Sequence, residues 1–231
     1  MGRAKEIIVK VIPANIANEF VKNHHYSKNY VRNSKLHFGA FLDNKLHGVM
    51  SYGSPMSKNR VLPLVKTKDN KLCKWNEMLE LNRMAFDEIL PRNSESRCIA
   101  ISIKLIKKNA PHIKWILSYS DSTQCGDGTI YRASGFNLTA IKKNTSIFKD
   151  NKGNVYAKGY GEYYRIAKGL VKREKEERLE GFQLRYIYLI DKTCKITVPI
   201  LPFSKIDEMG AGMYKGKKIT LEERKKKNVS L

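Results

Sequence analysis

Cysteine is scarce in this chain, four residues in 231, and no two of them form a CxxC pair. Cys73, Cys98, Cys125 and Cys194 are scattered, which excludes a disulfide framework and a thiolate zinc site and points to a reducing compartment. Cys98 falls among Ile99, Ile101 and Ile103, as a small core residue does. Acidic residues are also few: 22 Asp+Glu stand against 44 Lys+Arg. No apolar run approaches the roughly 18 residues that a membrane span requires, and no basic helix carries a long apolar face. The opening MGRAKEIIVK lacks the apolar core of a secretory signal. These absences predict a cytoplasmic protein that does not enter the membrane.

What is present is positive charge. A formal net charge of +22 exceeds what solubility requires, and such a surface attracts polyanions, with nucleic acid the foremost of them. Cations and aromatics are interleaved in two stretches. One follows a hairpin and holds Lys58, Arg60, Lys66 and Lys68 between prolines and Trp75. The other lies beyond Ile141 and holds Tyr163 and Tyr164. Lysines screen phosphates and aromatic rings stack on bases, so nucleic acid is the expected partner at these residues, and double-stranded DNA is what the resemblance given below implies.

Periodicity predicts alternating strands and helices. Residues 6–12 read as a strand halted at Pro13, which suits the first turn of a helix through Ile16, Phe20 and Val21. Residues 36–42 and 46–52 form a hairpin about an Asp43-Asn44-Lys45 turn, and 78–86 is a further strand. The best helix is 94–109, with Ile99, Ile103, Leu105 and Ile106 as its buried stripe and Pro111 ending it. Strands at 115–120 and 136–141 bracket a short helix over 129–133 stopped by Gly135, and 182–190 closes the sheet.

Between Arg92 and Phe136 a polar turn opens the long helix, the helix feeds a strand, and the strand ends at Asp121 before a Gly-containing loop. Asn93, Ser94 and Ser96 are expected to cap that helix, leaving backbone N–H groups for an anionic cofactor between Arg92 and Arg97. Arg83, on the preceding strand, is a candidate partner for a carboxylate, a phosphate or a developing oxyanion.

The element order β, α, β, β, β, α, β, α, β, β resembles the GNAT acyl-CoA N-acyltransferase fold, a mixed α/β (α+β) architecture with a mostly antiparallel central sheet flanked by helices. HHYS over 24–27, ELNRM over 80–84, PRNSESR over 91–97, SYSD over 118–121 and GTIYRASGF over 128–136 resemble the phage Mom family of DNA-modification proteins. That resemblance implies a transferase that converts adenine in DNA to an N6-carbamoylmethyl adduct and so shields phage DNA from host restriction enzymes in the host cytoplasm. It implies Arg83, Asp121 and Tyr131 as catalytic residues, acetyl-CoA or a related CoA donor as cofactor, and an iron site at His25, Tyr26, Asp121 and Tyr131. Imidazole, carboxylate and phenolate together suit redox-active iron better than zinc.

One departure stands out: ordinary acetyltransferases place a glycine-rich turn before the long helix, whereas RNSESR has no glycine, so Cβ atoms limit how closely a pyrophosphate approaches. Two alternatives stay open. One is a GNAT N-acetyltransferase acting on a small amine, a protein or a hypermodified DNA base. The other is a non-catalytic DNA-binding module. Residues 1–195 are expected to form a single catalytic domain with basic insertions near 55–75 and 142–180, and 196–231 a C-terminal extension with a basic flexible tail. The stretch 198–213 is left open between packing on the sheet, covering the site and forming a homodimer contact.

Overall fold

The structure, a computed structural model, describes residues 3–122, 128–151, 153, 155–157, 176–214 and 217–218. Its first elements are β1 (Ile8–Val11) and α1 (Ala14–His24). Next come β2 (Ser34–Leu42), β3 (Lys45–Gly53), the one-turn α2 (Lys58–Val61), β4 (Val65–Lys66) and β5 (Met78–Phe86). The middle of the chain forms α3 (Ser94–Asn109), β6 (Trp115–Asp121), α4 (Thr129–Ala133) and β7 (Asn137–Lys143). The remaining elements are β8 (Ile147–Asp150), β9 (Val155–Ala157), β10 (Glu176–Arg178), β11 (Phe182–Leu189), β12 (Lys195–Ile196), α5 (Ser204–Glu208), β13 (Met213–Tyr214) and β14 (Lys217–Lys218).

A seven-stranded sheet runs in the order β1-β2-β3-β5-β6-β11-β7. Its strands and the helices α1, α3 and α4 follow one another along the chain as β, α, β, β, β, α, β, α, β, β, the order expected of the GNAT-like fold. The pairs β1–β2, β2–β3 and β3–β5 are antiparallel and β5–β6 is parallel, as a strand, helix, strand crossover through α3 requires. The late strand β11 does not close the sheet: it lies between β6 and β7, and β7 is the edge. Strand order depends on pairing across long separations, which alternation along 182–189 does not encode.

Local chemistry accounts for the elements that frame the site. Pro13, at φ −61°, precedes α1 and accepts its first intrahelical bond, from Ala17 N–H at 3.1 Å. The β2–β3 turn takes two residues, Asp43 and Asn44, both at positive φ, with Lys45 already paired to Leu42. Helix α1 buries Ala17, Phe20 and Val21 against Val49 and Ala85, and side chains of the size of Phe20 and Val21 contribute roughly 1.5–3 kcal/mol each. Helix α3 buries Cys98, Ile99, Ser102, Ile103 and Ile106. Leu105, expected in that stripe, is only half-buried, and the buried Ser102 takes its place by pairing its hydroxyl with Tyr52 Oη at 2.6 Å. Gly135, at φ +79°, ends α4, and Phe136 N–H returns to Tyr131 O at 3.0 Å.

The stretch 55–75, expected as a loop, contains α2 and β4, and β4 pairs with the distant β12 in a two-stranded ribbon. The boundary expected between 195 and 196 falls inside β12. The 198–213 stretch begins by packing on the sheet, with Leu201 N–H donating to Leu138 O at 2.8 Å. By contact density the chain divides into two compact units. One is Met1–Tyr119 with Thr129–Ala140 and Arg185–Leu201; the other is Ser120–Gly128 with Ile141–Leu184 and Pro202–Leu231. The second unit includes the three-stranded sheet β10-β8-β9. No helix among the described residues is long and apolar enough to cross a membrane.

Candidate active site

Strands β5 and β6 pair only from Met78↔Trp115 to Leu81↔Ser118. At the last pair Ser118 Oγ donates to Leu81 O at 3.0 Å. Beyond it β5 continues alongside β3 alone, leaving a cleft edge between β5 and β6. The β3–β5 register also slips there, from Ser51↔Arg83 to Tyr52↔Leu81, so Asn82 is the extra residue of a β-bulge.

The bulge has a chemical consequence. In a regular strand residues three apart face opposite ways. Arg83 lies opposite Ser51 and shares the face of Ala85, the side covered by α1. Glu80 lies opposite Gly53, two residues from Ser51, and so comes to the same face as Arg83. Arg83 is held by carbonyl oxygens, Nε donating to Asn29 O at 2.8 Å and Nη1 to Asn82 O at 3.0 Å.

Glu80 is half-buried and has no hydrogen-bond partner among the described residues. Burial pushes its carboxyl up to about 7, with Arg83 opposing the shift. Tyr119, past the last β5–β6 pair, has its phenol raised first by burial and then by Glu80. Arg185 of β11 donates Nε to Thr139 Oγ1 at 3.0 Å and Nη2 to Thr139 O at 3.1 Å, and the Tyr119 hydroxyl lies within its electrostatic reach. Glu80, Arg83, Tyr119 and Arg185 thus form one polar row on the first unit. Near neutral pH the row couples a carboxyl able to gain or lose a proton to a fixed guanidinium. Glu80 was not singled out among the candidate residues; its signal was an acid in the otherwise apolar opening of Met78–Phe86, but its position beside Arg83 depends on the bulge.

His25 follows the last turn of α1 and is half-buried, and its exposed neighbour Tyr26 lies with ring centroids 4.4 Å away. Ser27 N–H donates to His25 Nδ1 at 3.1 Å, which places the imidazole proton on Nε2. Burial, then the charge of Arg83, lower the imidazole to about 4, so the ring is neutral. Tyr131 is buried on α4, stacked on Tyr186 at 4.8 Å and edge-on to Phe136 at 5.4 Å. Asp121 ends β6 in the second unit, where Asn144 Nδ2 donates to its Oδ1 at 3.3 Å.

The iron centre implied at His25, Tyr26, Asp121 and Tyr131 does not suit the His25 imidazole as it stands in the first unit. The Nδ1 lone pair of His25 is occupied, Nε2 carries the proton, and the adjacent guanidinium opposes a second cation. Among the described residues no three His, Cys, Asp or Glu side chains are gathered to hold a metal ion.

The turn before α3 differs from expectation in its side chains. Asn93 adopts the left-handed region at φ 69° and offers no side-chain cap. Ser94 is fully buried and its hydroxyl donates back to Pro91 O, while Ser96 Oγ donates to Asn93 O at 3.2 Å. Arg97 donates Nη2 to Lys5 O at 3.3 Å, and Arg92 is exposed. The side chains therefore satisfy carbonyls, and the N–H groups of Glu95 and Ser96 have no partner among the described residues. These donors lie at the helix end nearest the carboxyl ends of β5 and β6, where a crossover helix presents its positive pole.

Lys58 and Arg60 are exposed on α2, Lys66 lies on β4 and Lys68 in the turn after it. Tyr163 and Tyr164 lie outside the described residues.

Comparison with known proteins places this geometry in a family. Methylcarbamoylase mom of Escherichia phage Mu is 35% identical over 154 residues, covering 66% of this chain and 61% of that protein, so the match spans less than two thirds of the relative's length. Among solved structures, the IAA acetyltransferase from Bacillus cereus is 12% identical with a TM-score of 0.47, over 80% of this chain and 99% of that one. A GNAT family acetyltransferase from Elizabethkingia anophelis with acetyl-CoA bound is 14% identical with a TM-score of 0.46, over 80% and 98%. The model of the Mom protein family matches residues 6–205, a stretch that contains β5, β6, the bulge and α3, and the chain belongs to the Mom protein family.

Proposed function

We propose that this chain is a DNA-modifying transferase that places a carbamoylmethyl group on the N6 of adenine in duplex DNA, protecting that DNA from host restriction enzymes in the host cytoplasm. The observation that carries the reading is Arg83, fixed by two carbonyl oxygens at the bulge where β5 and β6 part, inside the stretch matched by the Mom family. The relative from phage Mu bears the name methylcarbamoylase, and the charge of +22 suits a polyanionic substrate.

A CoA-type donor fits the residues present. The unpartnered amides of Glu95 and Ser96 at the start of α3, with Arg92 beside them, would hold its phosphates, and the exposed edges of β5 and β6 would receive its extended arm. When bound, such a thioester supplies a two-carbon acyl unit. Attack on its carbonyl alone would give an N6-acetyl group, so the carbamoylmethyl product also requires a nitrogen donor and a two-electron oxidant as co-reactants; the chain's own residues bind, orient and move protons. Arg83 presents a fixed positive fork to developing negative charge. Glu80, poised near neutrality, accepts a proton from the amine of the acceptor base. His25 offers Nε2–H as a donor. No step is assigned to iron, because the ring nitrogen that would bind it is engaged. An adenine N6 in a duplex is paired, so the base is extruded before reaction.

The test is mass analysis of nucleosides from DNA of cells making the chain. Added mass on deoxyadenosine, lost with Arg83→Ala, is the expected result. Unmodified DNA beside an acetylated small amine or protein would replace this reading with a conventional N-acetyltransferase, and mass on a pyrimidine would move the target to another base.

A further inference from the structure

In the two-stranded ribbon, Lys66 of β4 stands directly opposite Lys195 of β12. Their strand neighbours Val65 and Ile196 belong to the core, so both lysines point outward on one side. Like charges placed directly across a ribbon repel, and neither lysine has an ion-pair partner among the described residues. The ribbon runs into a pocket of about 260 Å³ lined by Lys68, Lys71, Lys74 and Lys114 together with Asp69, Glu77 and Asp191. Two of these three carboxylates are already engaged. Glu77 accepts from Lys114 Nζ at 2.9 Å and from Lys74 N–H at 2.7 Å, and Asp191 accepts from Thr193 N–H at 2.9 Å and Thr193 Oγ1 at 2.7 Å.

The cations rest on a rigid base. Thr67 N–H bonds Lys71 O at 2.8 Å, Thr197 N–H bonds Leu64 O at 3.0 Å, and Val65, Cys73 and Cys194 are buried beneath. Glu77 precedes β5 and lies six residues before Arg83, about 20 Å away at about 3.3 Å per residue. That length is about six base-pair steps.

We propose that the β4–β12 ribbon and the loop 67–74 are the seat of a phosphodiester backbone, gripping duplex DNA several base pairs from the adenine that reaches Arg83. The inference rests on the reading of DNA as substrate. Phosphates between Lys66 and Lys195 relieve the repulsion, and a grip remote from Arg83 holds the helix while one base leaves it.

The experiment measures the affinity of the full chain for a duplex by fluorescence anisotropy across a series of salt concentrations. For Lys66→Gln/Lys195→Gln, the slope of log affinity against log salt is expected to fall by about 0.9 per lost phosphate contact, with weaker binding at low salt. Lys35→Gln/Lys45→Gln, on the β2–β3 hairpin, is the control and keeps the wild-type slope. Thermal melting guards against misfolding: the ribbon variant should melt at or above wild type, since a repulsion is removed. Wild-type slope in the ribbon variant, beside salt-dependent wild-type binding, overturns this seat and leaves the DNA reading standing. Salt-independent or absent duplex binding by the wild type overturns both. Arg83→Ala separates the two further: it should end modification while retaining the full salt slope.

Discussion

Arg83 Nε donates to the backbone oxygen of Asn29 at 2.8 Å, joining the loop after α1 to the bulged strand β5 across 54 positions of sequence. A guanidinium makes this bond and the second one to Asn82 O at the same time, and a lysine ammonium does not reproduce the fork. Arg83→Lys is therefore expected to lower DNA modification about a hundredfold, the scale on which loss of one charge-stabilising donor acts. Quantifying modified nucleoside per genome checks this, and near-normal modification in the lysine variant would show that charge alone suffices.

Glu80 makes the site sensitive to pH. Its folded carboxyl is raised to about 7 from an ordinary value near 4.5, chiefly by burial. Between those values the folded state holds more protons than the unfolded one, so stability is fully present below about 4.5 and is lost as pH rises through 7. Glu80→Gln removes the titrating group. Melting midpoints taken from pH 4.5 to 8 should show the variant gaining on wild type as pH rises; a constant difference would mean that Glu80 is not held near neutrality.

His25 works in the opposite sense. Burial and the charge of Arg83 depress it to about 4 from 6.5, so the folded state binds fewer protons than the unfolded one between those values. The stability it supports is present above 6.5 and is lost as pH falls toward 4. The stability advantage of wild type over His25→Gln should shrink on acidification through this window. Proton resonances of the His25 ring give a direct reading, and titration with a midpoint near 6.5 would contradict the environment described.

Gly53 is the register partner of Glu80, and a Cβ added there runs into the carbonyl of Asn33. Because backbone rather than a side-chain tip stands in the way, relief requires the strand or the 31–34 turn to move. Gly53→Ala should cost about 1–3 kcal/mol by the usual penalty of overpacking, measured by denaturant unfolding, and should lower modification by disturbing the bulge. An unchanged unfolding midpoint would show that this turn yields freely.

Much of the chain was legible from sequence because local periodicity reflects one-sided burial. The hairpin about Asp43, the helix ending at Asn109, the short helix stopped by Gly135 and the strand ending at Asp121 all followed from spacing and turn chemistry. The excess of lysine and arginine suits a polyanionic partner, and the spaced motifs HHYS, ELNRM and GTIYRASGF carried the family. Those signals are held by residues near one another along the chain.

Pairing, register and protonation were decided only by the tertiary structure. Alternation along Phe182–Leu189 shows a strand but not its insertion between β6 and β7. The slip at Asn82, which turns Glu80 toward Arg83, arises from the match between β3 and β5. Lys66 and Lys195 are 129 positions apart in the chain, and only the β4–β12 pairing sets them face to face. The state of His25 likewise depends on the Ser27 amide and on an arginine from a distant strand. A sequence specifies which groups a chain carries, whereas the field each group feels is set by whatever folding brings beside it.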